Sequence, residues 1–331
     1  MATLVTLDAS ALRDGAPGRA GVLRDLDDVC RDAGFFLLRN HGIPGGLWEA
    51  MLEVSVRFFE RPAEEKEAID LRGSSNFRGF SRMKNLRDWR EQLHWGWEWP
   101  QGAWTEGRPE YYRLAGGNPW PDPAFALVVS DYMKAAQGVG LLLLRALAGC
   151  LSLPTGYFDP SPDEPPYLLL KQICYYPQSG STPRSGVAPH CDWSWITLLL
   201  QDATGGLEVQ DSRGDWLPVP AEPGVLAVNT GELLEILTRG RYRAAPHRVI
   251  NPGSRRRISV PTFINPPLAA RVEPLEFPGA VPDRPIGPPG ADHVHRVVPR
   301  GVDCGPFTFG ESEWRRKGMG LWCHDAQCRG A

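Results

Sequence analysis

Three residues whose side chains bind metal ions stand out in the sequence: His190, Asp192 and His247. His190 and Asp192 are two residues apart, and side chains at that spacing in an extended segment point to the same face, so both can reach one ion. His247 follows 57 residues after His190, so the fold must bring distant strands together to complete the set.

A second pair, Arg257 and Ser259, follows about ten residues after His247. The two side chains lie on the same face of an extended segment, because they are two residues apart. A guanidinium beside a hydroxyl binds a carboxylate well. Two imidazoles and one carboxylate leave about three positions open on an iron ion, whereas a catalytic zinc site usually leaves one. The five residues therefore suit an acidic co-substrate that chelates a metal at one end and is held at the other.

The segments that must position these residues are short, apolar and separated by turn residues such as Gly205-Gly206 and Pro252-Gly253. Short strands at this spacing predict a β-sandwich or jelly roll, whose open end can hold a ligand. The predicted strands cover residues 196–200, 207–209, 216–219, 225–228, 247–250 and 257–264.

Upstream, the pattern predicts a strand, a helix, a second strand and a second helix. The turn that follows the second strand contains His41, which we expect to be a hydrogen-bonded turn residue rather than a ligand. A long helix should pack across the back of the sheet. The predicted elements are 4–7, a helix from Pro17 to Gly34, 35–38, 47–59 and the long helix within 121–153.

The domain organisation predicted from these patterns is a single functional domain in three regions. Residues 1–120 form an N-terminal region packed on the barrel, 121–270 the jelly-roll core with its backing helix, and 271–331 a proline-rich cover. A final helix at 307–321 could act as a lid.

Composition excludes several classes of function. The chain of 331 residues has a net charge of −3, which gives no general attraction to nucleic acid or acidic membranes. Its seven cysteines are odd in number and irregularly spaced, unlike a disulfide framework. No secretory pattern occurs near Met1, and the most apolar stretch, 139–148, is too short to cross a bilayer. We expect a cytoplasmic protein; the oligomeric state is not indicated.

With these residues in view, the sequence resembles the iron- and 2-oxoglutarate-dependent dioxygenases of the isopenicillin N synthase-like family. The motifs that carry the resemblance are His190-x-Asp192, Ile196 to Asp202, Gly206 to Val209, Val228 to Glu232, His247-Arg248-Val249 and Arg257-x-Ser259. The resemblance continues upstream in Gly34-Phe35-Phe36, Asn40 to Ile43, and Phe58-Phe59 before Pro62.

The resemblance implies an α+β fold with a mainly β core, a double-stranded β-helix (jelly roll) flanked by N-terminal and long backing helices. It also implies that His190, Asp192 and His247 bind Fe(II), and that Arg257, Ser259 and Tyr176 hold 2-oxoglutarate. Cys174 stands where many relatives have Asn, and Glu232 where Asp is usual.

The function implied is oxidation of a C–H bond in a small molecule, of the specialised-metabolite kind, with O2 as oxidant. Hydroxylation, desaturation or cyclisation could result, with succinate and CO2 as co-products. Two alternatives are an iron oxidase of the same fold in which Arg257-x-Ser259 grips the substrate itself, and a non-enzymatic β-sandwich binding protein.

Three residues are predicted to contact the substrate: Trp193, Phe263 and Leu199. Trp193 directly follows Asp192, and large apolar walls favour a flat or hydrophobic substrate. The alternative is that Trp193 and Trp195 pack into the core. One or two of the tryptophans within 77–104 could also line the pocket.

Overall fold

The computed structural model describes residues 4–84, 89–99, 107–161, 164, 167–177, 185–250, 255–276, 294–297 and 305–322. Its helices are α1 (Arg19–Asp32), α2 (Gly45–Phe59), α3 (Ala63–Glu67), α4 (Pro123–Cys150), α5 (Glu232–Leu237) and α6 (Phe309–Trp322). Its strands are β1 (Thr6–Asp8), β2 (Phe35–Arg39), β3 (Gly79–Lys84), β4 (Trp89–Gly96), β5 (Leu168–Tyr175), β6 (Ser185–His190), β7 (Ile196–Gln201), β8 (Leu207–Gln210), β9 (Trp216–Pro218), β10 (Leu226–Thr230), β11 (His247–Ile250), β12 (Arg257–Ile264), β13 (Arg271–Val272) and β14 (Phe307–Thr308).

Two sheets form the core. The larger has eight strands in the order β1-β2-β10-β7-β12-β5-β4-β3, and the smaller has four in the order β6-β11-β8-β9. A cluster of buried apolar side chains, the inner cluster, lies between them; its members are Phe35, Leu37, Ile173, Tyr175, Leu207, Val209, Val219, Ala227, Ala245 and Val249. The jelly-roll fold is confirmed.

Alternation along β5 decides which side chains face the inside. Ile173 and Tyr175 belong to the inner cluster, whereas Cys174 and Tyr176 pack on the other face with the helices. Successive side chains of a strand point to opposite faces, so the inner face of β5 also carries Lys171.

Helix α4 packs across the back of the larger sheet, as predicted. Asp122 caps its first turn by accepting a hydrogen bond from the Phe125 backbone N–H at 2.8 Å. The approach to β12 is so close that a Cβ on Gly140 would lie 2.7 Å from Ile264 Cγ1. By length and apolar composition α4 would also suit a membrane span, although core helices pass the same test.

The tryptophan-rich region contains the β3–β4 hairpin, which extends the larger sheet beside β5. Trp95 is fully buried, stacks on Trp120 and donates a hydrogen bond to Gln172 Oε1 at 2.6 Å. Trp95 is therefore a core residue on the helix-covered face, not a wall of a pocket. Residues 100–106, which include Trp104, lie outside the described residues, as does most of the proline-rich stretch.

Candidate metal centre and active site

The two sheets bring His190, Asp192 and His247 together. His190 ends β6 and pairs directly with His247, which begins β11, and Asp192 lies in the loop after β6. Asp192 Oδ1 lies 3.5 Å from His190 Nε2 and 3.6 Å from His247 Nε2. One ligand atom from each residue falls within 4.8 Å of the other two, so the three can bind one ion.

Both imidazole rings are oriented by the backbone. The Nδ1 atom of His190 lies 2.9 Å from the Ala188 carbonyl oxygen, and that of His247 lies 3.0 Å from the Ala245 carbonyl oxygen. A carbonyl can only accept, so each Nδ1 carries the proton and each Nε2 keeps its lone pair for a metal.

Asn229 orients the carboxylate. Asn229 lies near the end of β10, beside the triad. Its Nδ2 donates a hydrogen bond to Asp192 Oδ2 at 2.9 Å, which leaves Asp192 Oδ1 facing the histidines. Burial raises the pKa of Asp192, but His247, His190 and Asn229 outweigh it and hold the pKa well below its usual range. The carboxyl group is therefore ionised and ready to bind a cation.

The corner between β10 and α5 supports the loop that carries Asp192. The Gly231 backbone N–H donates to Trp195 O, and the Glu232 backbone N–H donates to Asp192 O at 2.8 Å. A Cβ on Gly231 would lie 2.2 Å from the Ser194 carbonyl oxygen, so glycine is required by this close approach. The motif from Val228 to Glu232 thus holds the loop that carries Asp192 in place through backbone hydrogen bonds.

Arg257 lies on β12, fully buried, and its guanidinium is only partly satisfied. Its Nη2 donates to Gln201 Oε1 at 3.1 Å, and its guanidinium lies 4.9 Å from the centre of the Tyr175 ring. Its Nε and Nη1 have no hydrogen-bond partner, and no carboxylate of the described residues pairs with it. Ser259 shares the same strand face.

The structure does not bring Tyr176 to this pair, contrary to what the resemblance implies. Tyr175 is the residue that pairs with Arg257 across β5 and β12. The Tyr176 hydroxyl donates to Glu91 Oε2 at 2.6 Å on the opposite face of β5. The physical reason is strand alternation, which turns neighbouring tyrosines to opposite sides.

The three residues predicted to contact substrate lie in different surroundings. Trp193 is buried and stacks on Phe307 with ring centres 5.9 Å apart. Phe263 is half-buried, and the ammonium of Lys171 lies over its ring. Leu199 packs with the inner cluster instead.

The neighbouring tryptophan, Trp195, is a core residue. It lies edge-on to Phe158, with ring centres 5.6 Å apart, and belongs to the main apolar cluster on the helix-covered side. Trp193 belongs to the same cluster, so the packing of both tryptophans agrees with the core alternative.

Sequence reasoning gave no role to Asn229, Gln201 or Tyr175. Asn229 stood in a recognised motif, and its place at the end of an apolar strand beside a turn was the available signal. Gln201 also stood in a recognised motif, Ile196 to Asp202, but its role and that of Tyr175 depend on the register with β12.

His41 is a hydrogen-bonded turn residue, as predicted. Its Nε2 lies 3.1 Å from the Gly224 carbonyl oxygen, and its Nδ1 accepts from the Ile43 backbone N–H at 3.1 Å. Both ring nitrogens are therefore used within the turn.

The donor atoms fit the two groups that the sequence implied. Two neutral imidazoles and an ionised carboxylate, each held by a second group, match the facial arrangement that binds Fe(II) and leaves positions open. The unpaired N–H groups of a buried guanidinium match a carboxylate, since a buried cation without a partner is costly.

Two family models match the chain. The model of the 2OG-Fe(II) oxygenase superfamily matches residues 168–266. The model described as the N-terminal region of non-haem dioxygenases in morphine synthesis matches residues 4–123.

Among similar proteins, a homoarginine-6-hydroxylase of Oryza sativa subsp. japonica is 31% identical over 77% of this chain and 81% of its own length. A 2-oxoglutarate-dependent dioxygenase of a Dothideomycetidae species is 32% identical over 94% of this chain and 86% of its own. A full-length Neurospora crassa protein, solved in complex with alpha-KG and 5-formyluracil, has a TM-score of 0.76 and 21% identity, covering 96% of this chain and 100% of that chain. That last likeness shows a shared fold.

Proposed function

The chain belongs to the 2OG-Fe(II) oxygenase superfamily, and on that premise we propose that this 2-oxoglutarate-dependent dioxygenase oxidises a C–H bond of a small organic molecule. The observation that carries the proposal is the triad of His190, Asp192 and His247 with its donor atoms within 4.8 Å. Similar proteins named as a homoarginine hydroxylase and a clavatol oxidase support a small-molecule substrate.

In this proposal His190, Asp192 and His247 hold Fe(II), and Arg257 with Ser259 holds the distal carboxylate of 2-oxoglutarate. Bound Fe(II), with 2-oxoglutarate and O2, supplies the oxidising power, and succinate and CO2 are formed. The protein places one C–H bond of the substrate and keeps others away.

The residues of the chain contribute orientation and charge. Ala188, Ala245 and Asn229 fix the three ligand side chains, so little reorganisation is needed when the site fills. Gln201 accepts a hydrogen bond from one edge of the Arg257 guanidinium, and the Tyr175 ring covers the face of that guanidinium. The remaining N–H groups of Arg257 are left for a carboxylate. Burial excludes water from this contact and strengthens it.

The experiment is to incubate the protein with Fe(II), O2 and 2-oxoglutarate, without added substrate, and to measure succinate. We expect slow succinate formation that requires both Fe(II) and 2-oxoglutarate. Iron binding without any 2-oxoglutarate consumption would favour the related oxidase, in which Arg257 and Ser259 grip the substrate itself.

A further inference from the structure

Lys171 and His94 face each other inside the large sheet. They are paired directly across the antiparallel strands β5 and β4. Lys171 lies on the same face of β5 as Tyr175 and Ile173, which belong to the inner cluster, so both polar side chains point towards the interior.

Neither side chain has a polar partner in the described part of the chain. Both ring nitrogens of His94 are buried without a hydrogen bond, and the residue is only 9% exposed. The ammonium of Lys171 makes no described hydrogen bond or ion pair and lies 5.2 Å from the centre of the Phe263 ring. Buried polar groups without partners are rare, so the buried imidazole of His94 beside the half-buried Lys171 calls for a ligand.

The surroundings of this pair are cationic. Arg90 lies on the same face of β4, four residues before His94, and the charges of Arg316 and Lys317 on α6 also act on His94. Glu313 on α6 is occupied, because it accepts two 2.8 Å hydrogen bonds from Arg316 and lies 3.5 Å from Lys317 Nζ. Glu311, the other described carboxylate of this helix, is exposed.

The pKa values report the same excess of positive charge. Burial, and then the nearby Arg90, Lys317 and Arg316, lower the pKa of Lys171 to about 7. Burial, and then Lys171, Lys317 and Arg90, hold the pKa of His94 well below its usual range, so the imidazole is neutral and can donate from one nitrogen.

The position relates this pair to the metal site. Asp192 is close enough for its charge to raise the pKa of Lys171, against the effect of the cations. Phe263 lies beside Lys171, and Trp193, which follows Asp192 in the chain, is buried and stacks on Phe307. An anion held by Lys171 would therefore carry its apolar body towards the metal.

This pair is separate from the guanidinium that the proposed function assigns to 2-oxoglutarate. Arg257 pairs with Tyr175, four residues further along β5 than Lys171. Arg257 on β12 and Lys171 on β5 are thus at different places on the inner face of the larger sheet and can hold two different anions.

We propose that Lys171 and His94 bind an oxyanion of the oxidised substrate, a carboxylate attached to an apolar body that packs on Phe263 and Trp193. The inference rests on the proposed function and names the chemical class of its substrate. The proposed substrate has the flat, apolar body expected from the sequence and, in addition, one negative charge. The anion supplies the ammonium of Lys171 with a counter-ion and the imidazole with an acceptor.

The test measures binding rather than turnover. The protein is loaded with Fe(II) and saturating 2-oxoglutarate without oxygen, so that the Arg257 site is filled. Phenylacetate, cinnamate and 2-naphthoate are then titrated by calorimetry, each beside its uncharged amide. We expect acids to bind at least about tenfold more tightly than amides, the value of one charge-assisted hydrogen bond.

Three variants make the test specific. Lys171→Met should abolish the preference for acids, and Lys171→Arg should keep part of it, because the charge remains. Lys134→Met, at an exposed lysine of α4 paired with Asp131, is the matched control and should keep the whole preference. Binding of acids to the wild type should take up protons, seen as a heat that depends on the ionisation enthalpy of the buffer.

Three outcomes would overturn the proposal: acids and amides binding alike, no acid binding, or Lys171→Met keeping the preference. Failure of the proposed function gives a different result. In that case the wild type shows no charge-transfer absorption on adding Fe(II) and 2-oxoglutarate and forms no succinate, whatever the acids do.

Discussion

The amide of Asn229 holds one oxygen of Asp192 at 2.9 Å, while the other oxygen of that carboxylate lies 3.5 and 3.6 Å from the two histidines. One oxygen of the Asp192 carboxylate thus makes a structural hydrogen bond, and the other is free to bind a metal ion. Asn229 is brought to this place by β10, whose end lies beside the loop that carries Asp192.

Asn229→Ala should therefore weaken Fe(II) binding by about 10- to 100-fold, the usual effect of losing a group that orients a ligand. Titration with Fe(II) or Mn(II) under anaerobic conditions measures it. Asn40→Gly removes a similar amide-to-carboxylate contact, to Asp8 at the surface, and should leave metal affinity unchanged. Equal affinity in Asn229→Ala and the wild type would contradict the assigned role.

His247→Ala should abolish 2-oxoglutarate turnover and leave the fold intact, since the variant removes one of three metal ligands. Succinate formation and far-ultraviolet circular dichroism check the two parts. His41→Ala is the control, because His41 bonds to the Gly224 carbonyl and takes no part in the site. Activity retained by His247→Ala would refute the triad.

Arg257→Met should raise the KM for 2-oxoglutarate by about 10- to 100-fold through loss of charge-assisted hydrogen bonds. The apoprotein should not lose stability, because a buried cation with two unpaired N–H groups is itself costly. Thermal melts with and without 2-oxoglutarate separate the effects: the ligand should raise Tm in the wild type only. An unchanged KM would favour the oxidase alternative.

Glu232 holds the segment 294–297 against the metal loop. Its two carboxylate oxygens accept from the Val297 backbone N–H at 3.0 and 3.1 Å, and His295 forms a β-bridge with His190. Glu232→Gln should loosen this contact and speed tryptic cleavage after Arg296. Mass spectrometry of the fragments measures the rate.

The control for this variant is Glu276→Gln, which alters an exposed pair with Arg239. It should leave the rate of cleavage after Arg296 unchanged. Equal rates in Glu232→Gln and the wild type would argue against the role of Glu232.

Lys171 should make the stability of the apoprotein depend on pH. Its pKa falls from 10.5 to about 7 on folding, so between these values the unfolded chain holds a proton that the folded chain lacks. Stability therefore rises with pH across this window. Relative to Lys171→Met, the wild type should gain unfolding free energy from about pH 7 to about pH 10, measured in urea. Lys134→Met is again the control, and parallel curves for Lys171→Met and the wild type would contradict the shift.

The sequence by itself picked out the three residues that can bind one metal ion, and it predicted most elements of the fold. His190-x-Asp192 and the later His247 are residue types at a spacing that chemistry restricts, and apolar periodicity marked α2, α4 and the core strands. Predicted ends differed from the observed ones by a few residues, as for β1, which begins at Thr6 rather than Leu4. Such ends depend on hydrogen bonds to neighbours, which local sequence does not contain.

Only the tertiary structure decided which side chains meet. Tyr175 rather than Tyr176 lies beside Arg257, because the register of β5 against β12 sets which face of the strand turns inward. Lys171 and His94 are 77 residues apart in the chain and face each other through the pairing of β4 with β5. Register is set by contacts between strands that are distant in the sequence. The sequence therefore shows which residue types are available for the site, but not which of their side chains face one another.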